Sequence, residues 1–468
     1  MTGTRTGLLA AGLAIAATAA AVVVTVTVGD DRDTDGSGGS AGGPGATSLA
    51  DGADRAEDGG DSGTGPDTGV DAGGADGSVS GYASDEEYAA IQRVLDTRAE
   101  AVLEGDREAF LATVDDRPGV RAQQRVTFEN LQRLGVAEIL YGLEQKTLPV
   151  TPIPGDDPEV KPDITEHVRL RGVDSEPVST SVGFTFVERD GQWLLGAERI
   201  DETERTLSSI GTARPWAEGP IAVRRAGSVT VVVDRSRSDQ LAALTARVTR
   251  ALGYVRGEIG VTDPAPLLVD ATSSGNATRL SYEGLAVAGA VFGPAITTTL
   301  TSHEPLGVAG WRVKYNPDVL DEFLDDDRVL RHELTHFVLR EKPQPLWLGE
   351  GIAEHLGWRR AGMAELVVPG RIYDRLATSA PRRRLITADE FRGNPVVGYT
   401  LAQALAEELL TRGGVPRLRR LLDELADAAE DKTSPARAQA AALQEVYGLS
   451  GPELAAAGYA RLLTINRL

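Results

Sequence analysis

Residues 328–358 read RVLRHELTHFVLREKPQPLWLGEGIAEHLGW, and the conformation of the first dozen decides the fold around them and the chemistry they carry. Val329, Leu330, Leu334, Phe337 and Val338 recur at three- and four-residue intervals, Asp326 or Asp327 can cap the start, and Pro343 stops the run. On that helix His332 and His336 stand one turn apart on one face, where both imidazoles can share an ion, while Leu330, Leu334 and Phe337 are left for the core. After the Pro343–Pro345 turn the sequence predicts a second helix, with 13 residues between His336 and Glu350. A hydrolytic metal site needs three protein ligands and one open position for water. Glu350 is the candidate third ligand. Glu354, one turn further along, is placed to hold the other ring nitrogen of His332 and fix its tautomer. His355 projects about 100° away from Glu354 and falls outside the ligand set.

Working outward, histidine is scarce. The 468 residues hold five, and His332, His336 and His355 fall within 24 residues of one another. With 0 Cys, thiolate metal sites, iron–sulfur clusters and cysteine nucleophiles are excluded. The net charge of −21 argues against a nucleic-acid partner, which requires a cationic surface. Residues 29–84 alone contain 12 carboxylates against Arg32 and Arg55, so nearly half of the acidity lies in one Gly/Asp/Ser-rich segment. That segment has too little aliphatic bulk to offset chain entropy and reads as a disordered tether over 29–81. Before it, the 21 residues Leu8–Val28 carry no charge. As a helix they span the ~30 Å hydrocarbon core. Arg5 on one side and Asp30, Asp31 and Asp33 on the other favour an uncleaved signal anchor over 1–28, the competing reading being a cleaved signal peptide with its small-residue sites at Ala17–Ala21. The expected localisation is the cell membrane, single-pass, with the C-terminal domains extracytoplasmic.

Ordered sequence is expected from Tyr82. Residues 85–114 place Ile91, Val94, Leu95, Ala99, Val102 and Leu103 at helical spacing behind Ser84 or Asp85, and Gly105–Asp106 breaks the helix. Strands follow at Ile164–Val173 and Val182–Glu188, and Asp190–Gly191 turns the latter into Gln192–Ile200. Helices followed by an antiparallel sheet, in particular RAEAVLEGDREAFLATVD and FVERDGQWLLGAERI, resemble the nuclear-transport-factor-2-like (NTF2-like) cone fold over residues 82–212. That resemblance implies that function there would come from polar groups lining the cone, and the sequence shows no convergent set. His167 is assigned no role.

Past the Thr212–Pro220 stretch, Val229–Val233 and Pro266–Asp270 read as strands flanking the amphipathic helix Gln240–Ile259, and an all-helical tail follows the motif. The expected class is α+β, with helices grouped together. The pieces HELTH, PLWLGEGIAEHL, GYTLAQALAEELL and YGLSGPELAAAGYARLL resemble the gluzincins, and more narrowly the bacterial peptidase MA-like proteins, over roughly residues 220–468 of a domain running 213–468. The resemblance implies His332, His336 and Glu350 as Zn2+ ligands, Glu333 as general base, and Tyr399 as a candidate donor to the tetrahedral intermediate. It implies a zinc metallopeptidase acting on a peptide or protein substrate. Zinc-aminopeptidase relatives carry a carboxylate on an upstream edge strand. The nearest look-alike here, Gly289-Ala290-Val291-Phe292-Gly293, has none, which favours an endopeptidase. His303, in a loop before the motif, is read as solvated. The other readings are a catalytically inactive interaction module using the NTF2-like region, and zinc hydrolysis of a non-peptide amide.

Overall fold

Ser84 accepts a hydrogen bond from the Glu87 backbone while the Glu87 carboxylate accepts one from the Ser84 backbone, and this capping box opens helix α1 (Asp85–Glu104) of the computed structural model. The structure describes residues 81–464, apart from 83, 144–148, 152–158, 200–213, 263–264, 274–280, 283–284, 287–288, 293–294, 298–304, 318–319, 321–326, 359–373, 375, 379–381 and 432. Gly105 ends α1 in the left-handed region at φ 74°, and Asp106 caps α2 (Arg107–Ala112). Helix α3 (Pro118–Leu134) follows. These helices accompany an antiparallel sheet of β1 (Gly81–Tyr82), β2 (Val136–Leu143), β3 (Pro149–Thr151), β4 (Glu159–Val160), β5 (Ile164–Leu170), β6 (Val178–Arg189) and β7 (Gln192–Arg199). Its order is β1-β3-β4-β6-β5-β2, with β7 also paired to β6. Asp190 and Gly191, both at positive φ, close the β6–β7 hairpin.

The second sheet begins with the hairpin β8 (Ile221–Ala226) and β9 (Val229–Asp234). Helix α4 (Leu241–Ile259) then crosses over to β10 (Leu267–Ala271), parallel to β9. Two short ribbons, β11 (Ser281–Tyr282) with β12 (Leu285–Ala286) and β14 (Ala295–Thr297) with β15 (Pro305–Val308), flank β13 (Gly289–Phe292) in sequence. Strand β16 (Arg312–Tyr315) completes the order β13-β16-β10-β9-β8. β16 runs parallel to β10, and β13 is the antiparallel edge. The near-continuous apolar runs of β9 and β10 fit strands covered on both faces. Val229, Val231, Val233, Leu267, Val269, Val313 and Tyr315 join the helical core, whereas Val232 and Leu268 join the core of the N-terminal layer with Ile221.

The helical tail comprises α5 (Arg328–Leu339), α6 (Leu346–Trp358), α7 (Ala388–Gly393), α8 (Pro395–Glu430), α9 (Pro435–Tyr447) and α10 (Gly451–Thr464). Helix α8 kinks at Gly414 (φ 63°, ψ −172°), two residues before Pro416. The chain is α+β, with a mixed sheet preceding a helical C-terminal part.

The structure corrects two expectations here. No helix among the described residues is long and apolar enough to cross a membrane, which goes against the expected transmembrane signal anchor and single-pass localisation. The long helices are amphipathic; α4, for example, carries Arg247, Arg250, Arg256 and Glu258. The Leu8–Val28 run itself and residues 29–80 of the acidic tether lie outside the described residues. Leu103, expected on the buried stripe of α1, is 51% exposed, and Arg98 is the buried member instead. The inward line is Ile91, Leu95, Arg98 and Val102, and Leu103 lies about 100° round from Val102.

Candidate metal centre

Helix α5 emerges behind β16 and is buried from Val329 to Thr335, so its histidines cannot form an ordinary solvated face. Asp327 occupies the N-cap position but makes no side-chain cap; its carboxylate instead pairs with Arg331 one turn on, at 3.2 Å. Asp326 lies outside the described residues. The helix ends at Leu339, four residues ahead of Pro343, and the Pro345 carbonyl accepts from the Leu348 backbone as α6 begins.

Close packing fixes α6 relative to its neighbours. A Cβ on Gly351 would meet the Ala402 carbonyl oxygen of α8 at 2.2 Å, so glycine lets α6 and α8 touch backbone to backbone. At the far end of α6 a Cβ on Gly357 would stand 3.2 Å from the Arg328 carbonyl oxygen of α5. Gly351 thus seats α6 on α8, and Gly357 seats it on α5.

This packing brings His332, His336 and Glu350 into one cluster that could hold a metal ion. The two Nε2 atoms face each other at 3.1 Å, and Glu350 Oε2 lies 3.4 Å from each. Neither 3.4 Å contact has hydrogen-bond geometry; Glu350 Oε2 is buried without a hydrogen-bond partner. The three atoms converge closely enough to share one ion. His332 and Glu350 are each 2% exposed, while the His336 side chain is the more open at 10%.

Glu354 lies 3.1 Å from His332 Nδ1. Its other oxygen accepts from Trp358 Nε1 at 2.7 Å, a contact that the sequence reading missed although the i, i+4 spacing signals it. With a carboxylate on Nδ1, the neutral ring keeps its proton on that nitrogen and leaves the Nε2 lone pair for an ion. Burial opposes charge on His332, but Glu350 and Glu354 outweigh it and raise the ring to about 10. Burial likewise opposes ionisation of Glu350, yet His336 and His332 prevail and lower it to about 2. A divalent cation between these atoms would take the place of the proton that the carboxylates attract to His332.

Glu333 is fully buried, and both of its carboxylate oxygens lack a hydrogen-bond partner. Burial, with Glu350 and Glu354 adding and His332 opposing, raises it to about 8. An orphaned buried carboxylate beside two convergent imidazoles suits a bound cation or water. Tyr399, near the start of α8, sets its ring edge-on to His332 at 6.1 Å between centroids and is itself packed by Phe391 of α7 at 4.8 Å. Burial lifts its hydroxyl well above the usual value, and Glu350, Glu354 and Glu333 add to the effect. Tyr315 of β16 is similarly raised by burial and then by Glu333. His355 projects elsewhere, to Glu407 Oε1 at 3.3 Å. His303 and Gly293 lie outside the described residues, and His167 Nδ1 meets Ser179 Oγ at 2.8 Å on the N-terminal sheet.

The sequence showed no convergent polar set in the N-terminal layer. The structure corrects this: Arg98, Gln124, Glu166, Glu198 and Arg214 meet in its interior. Two signals were readable. Arg98 interrupts the apolar stripe of α1, and Glu166 shares the inward parity of Ile164, Val168 and Leu170. No protein-family model matches the chain, and no curated protein matches it.

Proposed function

We propose that the chain is a zinc-dependent metallopeptidase of the gluzincin type that hydrolyses peptide bonds in a peptide or protein substrate. The observation that carries this reading is the triangle of His332 Nε2, His336 Nε2 and Glu350 Oε2, with edges of 3.1, 3.4 and 3.4 Å. Ligands at ~2.0–2.1 Å around a tetrahedral centre stand ~3.3 Å apart, so the triangle matches one face of a zinc tetrahedron and leaves the fourth corner open. Two imidazoles and one carboxylate are also the donor set of hydrolytic zinc.

A zinc ion held there supplies Lewis acidity and water whose pKa is lowered toward ~7. The chain's own residues do the rest. Glu333, adjacent in sequence to His332 and free of hydrogen bonds at both oxygens, takes the proton of the attacking water and returns it to the leaving amine. Glu354, steadied by Trp358, holds His332 in the tautomer that presents Nε2. Tyr399 offers its hydroxyl to the substrate oxygen that gains charge, and its raised pKa keeps that hydroxyl protonated. The edge strand β13, paired on one side with β16, offers backbone for an extended substrate to bind alongside.

The test is elemental analysis of the purified full-length chain together with cleavage of an unfolded protein substrate by wild type and Glu333→Gln. One zinc per chain in both, with cleavage reduced ~10²- to 10⁴-fold in the variant, is expected. Undiminished cleavage by Glu333→Gln, or a chain that takes up no zinc, would overturn the proposal.

A further inference from the structure

Two carboxylates are buried inside the N-terminal layer, Glu166 on β5 at 1% exposure and Glu198 on β7 at 8%. Buried anions of one sign are costly unless a cation with matching geometry joins them. Arg98 of α1 does not fill that role. Its Nη1 donates to Thr113 Oγ1 at 3.2 Å, its Nη2 to Gln124 Oε1 at 2.5 Å, and its guanidinium lies 4.1 Å from the Phe110 ring centroid. Gln124 passes a hydrogen bond on to Glu198 Oε2 at 2.5 Å.

The cation that both carboxylates bind is Arg214, which belongs to no helix or strand of the layer. Its Nε donates to Glu166 Oε2 at 2.7 Å and its Nη2 to Glu198 Oε1 at 2.5 Å, with a longer Nη2 contact to Glu166 Oε1 at 3.5 Å. A planar fork spanning two carboxylates is a guanidinium geometry that an ammonium cannot reproduce. The residues after Arg214 are docked in the manner of a bound peptide. Trp216 and Ala217 are buried in the N-terminal core. Asn130 Nδ2 donates to the Trp216 and Gly219 carbonyls at 3.1 and 2.7 Å, and Asn130 Oδ1 accepts from the Ile221 backbone at 3.2 Å. Ile221 is the first residue of β8.

We infer that the interior of the N-terminal layer is a guanidinium-binding site whose occupant is Arg214 of the same chain, and that this occupancy latches the layer onto the sheet of the metal-bearing half. The ligand class is an arginine side chain or a small guanidinium compound. A preformed site of this kind, emptied of its resident side chain, accepts the free ligand. Full-length Arg214→Ala and wild type are compared by thermal unfolding in ~20 mM methylguanidinium and in ~20 mM methylammonium. The expected result is a lower melting temperature for Arg214→Ala, raised by ~2–4 °C with methylguanidinium and unchanged with methylammonium, while wild type responds to neither. Adding Glu166→Gln to Arg214→Ala abolishes the rescue. If the variant cannot be recovered folded, refolding yield from denaturant in the two additives gives the same comparison. Equal effects of the two cations, or no effect of methylguanidinium on the variant, would overturn the inference.

Discussion

Two clusters of buried charge among the described residues, one in the N-terminal layer and one in the helical half, differ in how their polar atoms are satisfied. In the N-terminal layer Glu166, Glu198, Gln124 and Arg214 bind one another through hydrogen bonds of 2.5 to 2.7 Å. In the helical half, Glu350 Oε2 and both oxygens of Glu333 are buried without a hydrogen-bond partner, and two imidazole nitrogens face the same point. Leaving such groups unpaired costs ~1–3 kcal/mol each, more when charged. A fold retains that cost where something from outside completes the cluster. The contrast separates a site already filled by its own chain from one whose atoms could hold an ion.

The variants that would break this contrast most severely remove a convergent donor. Glu350→Ala should lower zinc affinity far beyond the ~10- to 100-fold expected for Glu354→Ala, which removes only the carboxylate on the outer nitrogen of His332. Titration against a competing chelator reads both, and the reverse ranking would show that Glu350 is not a ligand. Tyr399→Phe keeps the ring against His332 and Phe391 but deletes the hydroxyl. We expect kcat to fall by ~10²-fold with zinc content unchanged. A variant as fast as wild type assigns Tyr399 to packing alone.

Gly351→Ala tests whether helix contact sets the metal geometry. The added Cβ collides with the Ala402 carbonyl oxygen, and overpacking of this kind costs ~1–3 kcal/mol. Denaturant unfolding should show that loss together with weaker zinc binding, because α6 must move and carry Glu350 with it. Retained affinity would mean that Glu350 is positioned independently of α8.

The smallest expected effect concerns Glu390 on α7. Partial burial opposes its ionisation, but the Thr387 backbone and Arg382 and Arg384 prevail and hold it below the usual carboxylate value. The stability it contributes is therefore fully present above pH ~4.5 and lost as pH falls through its folded-state value. The stability gap between wild type and Glu390→Gln should stay below ~1 kcal/mol at pH 6 and narrow at pH 3. A gap that widens on acidification would contradict the shift.

The metal cluster was legible in the sequence because helical spacing is enough to put His332 and His336 on one face, and a short turn at Pro343–Pro345 leaves α6 little choice but to pack back on α5. The Val-rich strand of β9 and the Asp190–Gly191 hairpin were legible for similar local reasons. The N-terminal cluster was not, since its members come from α1, α3, β5, β7 and the stretch beyond, and only tertiary folding joins them. A register shift between Thr185 and Phe186 also changes the parity of β7, so strict alternation from Trp193 and Leu195 does not place Glu198 inside. Leu103 failed as a core residue because the line through Arg98 faces inward.

The strands β9, β10 and β16 beneath the histidine-bearing helix are covered on both faces: Val232 and Leu268 project into the N-terminal core, and Arg312 crosses to Asp174 with a 2.9 Å ion pair. A fragment beginning at Ile221 would strip that covering, leave Arg312 without Asp174 beside bare aliphatic surface, and present a sticky plane to its neighbours. Anyone expressing the histidine-bearing portion by itself should expect inclusion bodies, and the shortest soluble piece should start near Ser84.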